Sequence, residues 1–434
     1  MKLFKVCTLA LFAVLLYLPF TRAASVESQV ASDAPTSIDL TTNGFVDQAT
    51  MDSDRAEFEQ IEGTGDGLGP LYNANSCAAC HANPVTGAES MVSELRAGHY
   101  DEDENFVAAT VTINDGTTIP DRSLINDRAI CPGMVTDASG GSHDFQQYNI
   151  QERVPGAENV RALRRTTNVL GDGFVEAIDD ATLIRISDTQ PAQSRGAIHG
   201  LVIRVPVAEA GGATRVGRFG WKNQHASLLS FAGDAYLNEM GITNRFNPTE
   251  VTGICDMVAD PEDKQLTGRP AGFTDIDAFA EFMRSTKPIL RDDLLAATAD
   301  SRAGQQIFSS IGCSICHVTS ITTAASGTVI NGGTLTVPAA LGSQIIHPYS
   351  DFLLHDVGTG DGIVQNGGRQ SQDRLRTPPL WGLRFRNRLM HDTMSLTRND
   401  AILRHGGEAR LVINSYRRLD TGRKNQLITF LNSL

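Results

Sequence analysis

Two five-residue stretches, Cys77-Ala78-Ala79-Cys80-His81 and Cys313-Ser314-Ile315-Cys316-His317, each read C-x-x-C-H. Two thiols one helical turn apart can each close a thioether onto a vinyl group of a haem, while the adjacent imidazole reaches the iron from one face. The chain is therefore expected to carry two covalently attached haem c groups, on Cys77 and Cys80 and on Cys313 and Cys316, with His81 and His317 as proximal iron ligands. A redox or zinc-binding C-x-x-C with a chance histidine is the alternative for either copy alone. Its context is missing: a thioredoxin-type pair follows a strand in a βαβ pattern, and a zinc ribbon needs its second C-x-x-C about 15–20 residues away.

The N-terminus points outside the cytoplasm. Lys2 and Lys5 precede an apolar run from Val6 to Phe20, and Thr21-Arg22-Ala23 supplies small residues where a signal peptidase cuts, so residues 1–23 read as a signal peptide. Nothing later reaches about 18 consecutive apolar residues, which predicts no membrane span once the signal is removed. An exported, soluble protein, periplasmic or otherwise outside the cytoplasm, is expected. Cys7 leaves with the signal; Cys131 and Cys255 then form a disulfide in an oxidising compartment or stay two separate thiols.

With 41% hydrophobic and 20% charged residues, the chain has the composition of a globular protein large enough for two cores. Its formal charge of −13 opposes nucleic acid as a partner, and losing Lys2, Lys5 and Arg22 with the signal makes it more negative. An acidic surface steers basic electron-donor proteins, or serves solubility alone.

The fold class expected is mainly α: two cytochrome c-like modules, the N-terminal one elaborated with small β elements. Residues 24–45, rich in Ser, Thr, Ala and Asp, read as a mobile leader. An N-terminal haem domain over 46–290 follows. It includes a β-rich run from Val107 to Ile113 before the turn Asn114-Asp115-Gly116, and a ribbon of Leu201–Val207 and Thr214–Phe219 around Gly211-Gly212. Helices are predicted over Ala226–Glu239, stopped by Gly241, and over Phe273–Met283. A C-terminal cytochrome c domain over 291–434 begins with a helix capped by Asp300 and running to Ile311, which delivers Cys313. It ends with a helix over Gly422–Leu434, whose stripe of Leu427, Phe430, Leu431 and Leu434 is placed to meet Gly304 and Phe308.

Two such haems on separate modules resemble the bacterial di-haem cytochrome c peroxidase superfamily. The stretches Asp66-Gly67-Leu68-Gly69-Pro70-Leu71-Tyr72-Asn73-Ala74-Asn75-Ser76, Phe219-Gly220-Trp221-Lys222, Asn238-Glu239-Met240-Gly241-Ile242-Thr243, Leu354-His355-Asp356, Arg376-Thr377-Pro378-Pro379-Leu380-Trp381-Gly382 and His405-Gly406-Gly407-Glu408-Ala409 are similar, more specifically, to the di-haem oxidoreductase, putative peroxidase family. Members are often labelled thiol oxidoreductases, a label that two C-x-x-C pairs can inspire without chemical evidence.

The resemblance implies further roles. His405 stands where the peroxidases present a distal methionine, which implies a bis-histidine second haem; Met390 and Met394 compete for the place, and a packed helix histidine is the other alternative. For the first haem none of His99, His143, His199 and His225 stands out as a second ligand, so an open or weakly ligated iron is expected. Glu239, in the element similar to the peroxidase distal loop, is the candidate acid-base group for peroxide cleavage; a surface carboxylate at a helix end is the alternative. Trp221 is similar to the tryptophan that bridges the haems in peroxidases, against an ordinary core tryptophan. Phe231 or its neighbours stand where peroxidases place a glutamine, which departs from the family pattern. His347, His355 and His391 are expected to be structural, facing a haem propionate at most. A calcium ion is implied by the superfamily without assignable ligands.

The expected function is that of an exported di-haem oxidoreductase, peroxidase-like, in which electrons from a small redox protein enter at the C-terminal haem and reduce a small-molecule oxidant such as hydrogen peroxide at the N-terminal one. The alternative is a two-centre electron-transfer cytochrome without turnover.

Overall fold

The computed structural model describes residues 30–113, 118–130, 134–136, 142–144, 152–254, 256 and 258–434. Helices take 32% of the chain and strands 17%, so the mainly α expectation holds only in part. Cys131, Cys255 and the turn at 114–116 lie outside the described residues.

The helices that position the sites are α1 (Gln48–Glu59), α2 (Cys77–Cys80), α3 (Leu228–Met240), α4 (Asp275–Ser285), α5 (Ala299–Ser310), α6 (Arg398–Leu403) and α7 (Thr421–Asn432). α3 starts where the Ser227 hydroxyl accepts from Leu229 N and Ser230 N, and it stops at Gly241, whose φ of 73° is left-handed. No side chain fits there: a Cβ on Gly241 would lie 2.7 Å from the Leu71 carbonyl oxygen. α4 opens with a capping box, Thr274 with Asp277.

A five-stranded antiparallel sheet carries one wall of the first site. Its order is β4 (Val160–Arg165), β1 (Ser93–Tyr100), β2 (Phe106–Thr112) and β3 (Thr118–Arg122), with Leu124–Ile125 pairing β1. Along β2 the buried residues are Ala109 and Val111, a spacing of two that sends one face into an apolar cluster with Leu71, Ala97 and Ile125. The ribbon predicted around Gly211-Gly212 is present and shorter, Arg204–Pro206 against Thr214–Val216.

α5 and α7 cross in close contact. At Gly304 a Cβ would sit 2.0 Å from the Gln426 carbonyl oxygen, so only glycine allows this approach. Beside it Phe308 meets Phe430 at 5.3 Å between ring centroids, within a buried cluster that includes Tyr349, Leu427 and Leu431. The N-cap of α5 is Thr298, accepting from Ser301 N, rather than the expected Asp300, which falls in the first turn.

One further difference concerns the leader, and one observation concerns the core. The segment read as a mobile leader is held in place from residue 32: Ser32–Asp33 pairs parallel with Gln344–Ile346, and the Asn43 side chain donates to the Arg284 and Thr286 carbonyls. The largest core joins Met51, Phe174, Phe282 and Trp381 with Ile321, Leu341 and Phe352, so residues on both sides of position 290 share one apolar interior.

Candidate functional site

The first C-x-x-C-H turn is built by Ser76, whose hydroxyl accepts from Ala79 N at 3.1 Å and starts the single turn of α2. The segment leading into it docks on the C-terminal end of α3. Gly69 N reaches Met240 O at 3.0 Å, and Asn73 N and Ala74 N reach Glu239 O at 2.7 and 3.1 Å, which satisfies carbonyls a helix end leaves open. Cys77, Cys80 and His81 thereby come to line the same cavity as Glu239, a space of about 1000 Å³.

Charges in that cavity are arranged in layers. Arg96 on β1 grips Glu94 two residues before it, at 2.7 and 3.0 Å, and Arg164 of β4 stands opposite Glu94 in the sheet register. Burial opposes a charge on Glu94, but Arg96 outweighs it and holds the carboxyl below its usual range. Burial and the neighbouring Glu94 push Glu239 up to about 8, while Asn73 donates to its Oε2 at 2.8 Å. At neutral pH Glu239 therefore holds a proton. Elsewhere in the lining, His225 meets Asp234 Oδ2 through Nε2 at 3.1 Å and stacks on Phe231 at 5.2 Å.

The second C-x-x-C-H follows α5 through Gly312, whose φ of 100° turns the chain, and Cys313–Ile315 forms a 3₁₀ turn. His317 Nδ1 lies 2.8 Å from the Tyr349 carbonyl oxygen, and His405 Nδ1, just past α6, lies 2.8 Å from that of Ala401. A carbonyl only accepts, so in both rings Nδ1 carries the hydrogen and Nε2 keeps a free lone pair. The ring centroids are 6.5 Å apart. Both rings line one cavity, so their Nε2 atoms could together hold a single haem iron there. Burial pulls His81 and His317 down to about 4, leaving both neutral, as an iron-binding imidazole must be. Of the competitors, Met390 lines this cavity of about 200 Å³, whereas Met394 is 71% exposed.

The thiols do not suit redox chemistry of their own. All four are unbridged, and burial pushes Cys80 up to about 11 and Cys313 up to about 12, so no thiolate nucleophile forms at neutral pH. Haem suits both cavities better. The second is lined by Arg165, Arg376, Arg386 and Arg398, with Glu89 as the neighbouring anion. Among the described residues, Arg165 Nε and Arg398 Nε are buried without a partner, as is Arg164 Nη2 at the first cavity. Such a surplus of buried donors calls for anionic acceptors, which the propionates of a haem supply.

Trp221 lines both cavities. Its indole N–H donates to Arg165 O at 2.7 Å, its own carbonyl accepts from Arg376 N at 2.8 Å, and the edge of His391 meets it at 6.0 Å between centroids.

The remaining histidines divide. His99 pairs with Glu158 and His347 with Asp33, both away from either cavity; His199 rests on the Gly196 carbonyl. The His143 side chain lies outside the described residues. His355 is buried in the second cavity's wall with Asp351 and Glu408 each at 2.8 Å, while its Nδ1 also faces Cys316 Sγ at 3.8 Å. Burial works against a charge on His355, but Asp351 outweighs it and raises the imidazole well above its usual range. Sequence reasoning passed over Glu94, Arg96, Arg164 and Arg165, and it left His225 among the histidines that did not stand out. A pair of charges two apart in a strand, Glu94 and Arg96, was the one available signal. Glu250, Asp260 and Glu262 also gather, with ligand atoms within 4.8 Å of one another.

Two cavities of this kind, each opening on a C-x-x-C-H turn and sharing Trp221 and Arg165 in their walls, define a di-haem redox protein. The chain belongs to the family described as di-haem oxidoreductase, putative peroxidase, whose model matches residues 110–434. Two haem groups and a redox role come with that membership. Among solved structures, the hydrazine synthase of Kuenenia stuttgartiensis under xenon pressure is similar over 100% of both chains, at 12% identity and TM-score 0.36. A MauG-like protein associated with microbial copper homeostasis matches 94% of this chain and 93% of its own at 13% identity and TM-score 0.39. A variant of the diheme peroxidase BthA from Burkholderia thailandensis covers 78% of this chain and 94% of its own at 14% identity and TM-score 0.30. No curated protein matches the chain. Among the described residues, no helix is long and apolar enough to cross a membrane.

Proposed function

We propose that the chain is an exported, periplasmic c-type oxidoreductase of peroxidase type, with a signal over 1–23 and two haem-bearing modules over 46–290 and 291–434. Cys77, Cys80, Cys313 and Cys316 form the thioethers, His81 and His317 are the proximal ligands, and His405 is the second ligand in the C-terminal module. Held by these residues, two haems would supply one-electron chemistry, with a small redox protein as the electron donor on the C-terminal side and hydrogen peroxide as the oxidant on the N-terminal side.

The observation that carries this reading is the asymmetry of the two cavities. One is closed by two imidazoles whose ring centroids lie 6.5 Å apart, which would both be available to an iron held there and would suit electron transfer. The other is far larger and holds Glu239 with a proton at neutral pH. Reduction of peroxide to two waters consumes two electrons and two protons, and a carboxylic acid there can give a proton to the departing oxygen. Trp221, lining both cavities, offers the shorter electron path between them. For the calcium ion implied by the superfamily, Glu250, Asp260 and Glu262 offer the hard oxygen ligands that calcium takes.

Optical and electron paramagnetic resonance spectra of the purified holoprotein test the reading. With added cyanide or carbon monoxide, one iron should change and the other should not, and peroxide should be reduced with a ferrous cytochrome as donor. Two low-spin irons inert in every redox state, with no turnover, would make the protein an electron carrier instead.

A further inference from the structure

Cleavage of a bound peroxide needs two proton movements: the inner oxygen must lose one and the outer oxygen must gain one as the O–O bond breaks. Glu239 holds its proton at neutral pH and suits the second. It cannot serve as first acceptor in that state. Glu94 is ionised, but Arg96 grips both its oxygens at 2.7 and 3.0 Å, which makes it a poor base.

A different group in the same cavity meets the need. His225 lies in the lining with its Nε2 3.1 Å from Asp234 Oδ2, leaving Nδ1 without a partner among the described residues. Asp234 is itself oriented, accepting from Asn238 Nδ2 at 3.0 Å on its other oxygen. The ring is clamped in a stack, 5.2 Å from Phe231, which lies 6.2 Å from Phe219 with 13° between planes. Asp234, Asn238 and Glu239 all belong to α3, so one helix carries both the carboxylate that orients the imidazole and the acid. A carboxylate behind an imidazole fixes its tautomer and stabilises the imidazolium formed when it takes a proton.

Resting on the peroxidase reading, we infer that His225, oriented by Asp234, is the catalytic base of the N-terminal site, and that Glu239 is its acid partner. His225 takes the proton from the inner peroxide oxygen, and Glu239 gives one to the outer oxygen, which leaves as water. The two electrons come from the ferrous cytochrome donor. The proton on His225 and one more from solvent, which also reprotonates Glu239, complete the second water.

Cyanide association with the oxidised holoprotein tests this without turnover, because hydrogen cyanide must give up its proton to bind as the anion. Carbon monoxide binds the reduced iron without proton loss and serves as the control. His225→Gln should slow cyanide association by about 10²-fold and leave carbon monoxide binding, haem content and the resting spectrum unchanged. Asp234→Asn should slow cyanide by about 10-fold, and it decides the matter should His225→Gln lose haem. Unchanged cyanide rates in the variants, with a reactive wild type, would overturn the assignment of His225 alone. A resting spectrum that turns from low-spin to high-spin in His225→Gln would also overturn it, by making His225 an iron ligand. A wild-type protein that binds neither probe would remove the peroxidase reading and His225 with it.

Discussion

Trp221 donates its indole N–H to the backbone carbonyl of Arg165 at 2.7 Å, and both residues lie on the walls of both cavities. The bond fixes the ring where the two sites approach each other. Trp221→Phe keeps an apolar ring and removes the donor and the indole, so both haems should stay bound while electron transfer between them slows. Rapid-reaction kinetics after reduction of the C-terminal centre measure it. Equal rates in both proteins would leave Trp221 a packing residue.

The imidazoles of His317 and His405 are each oriented by a backbone carbonyl, so removing one should open the site without disturbing the other. His405→Ala is expected to turn a low-spin C-terminal centre into one that is high-spin or takes up external ligands. Met390→Ala should leave it low-spin. Magnetic circular dichroism separates the two outcomes, and an unchanged signal in His405→Ala would move the ligand assignment elsewhere.

Glu239, pushed up to about 8 by burial and Glu94, is protonated below that value and ionised above it. If the acid form works, peroxide turnover should be highest below about pH 8 and should fall as pH rises through it. Glu239→Gln should lower turnover by about 10²-fold with haem content unchanged and should abolish that limb of the profile. Turnover that instead rises through pH 8 would give Glu239 the role of base.

Gly304 touches the opposing backbone, so Gly304→Ala must separate α5 from α7 or distort both. A loss of about 2–4 kcal/mol in unfolding free energy is expected, at or above the usual cost of overpacking. Denaturant unfolding followed through the C-terminal haem absorbance measures it.

The two C-x-x-C-H turns were legible in the sequence because their cysteines and histidine are contiguous in the chain. The α5–α7 crossing was legible too, since Gly304, Phe308, Leu427 and Phe430 fall at helical spacing. Cap residues were less so: Thr298 and Asp300 are both good caps two positions apart, and only the backbone decides between them. Strands of two or three residues, such as Leu71–Tyr72 and Leu354–His355, leave no alternation to read, which is why the β content was underestimated. The arginines of the second cavity come from positions 165, 376, 386 and 398, and no local pattern links them. His225 was hidden for the same reason, because its partner Asp234 becomes informative only once α3 places it at the same cavity as Glu239.

The central claim is that this chain holds two haems through its own cysteines. Intact mass spectrometry of the purified protein, beside the double variants Cys77→Ala/Cys80→Ala and Cys313→Ala/Cys316→Ala, tests it most directly. The account predicts two covalent haem increments in the unsubstituted protein and one in each double variant, while an unsubstituted protein without two increments would contradict it.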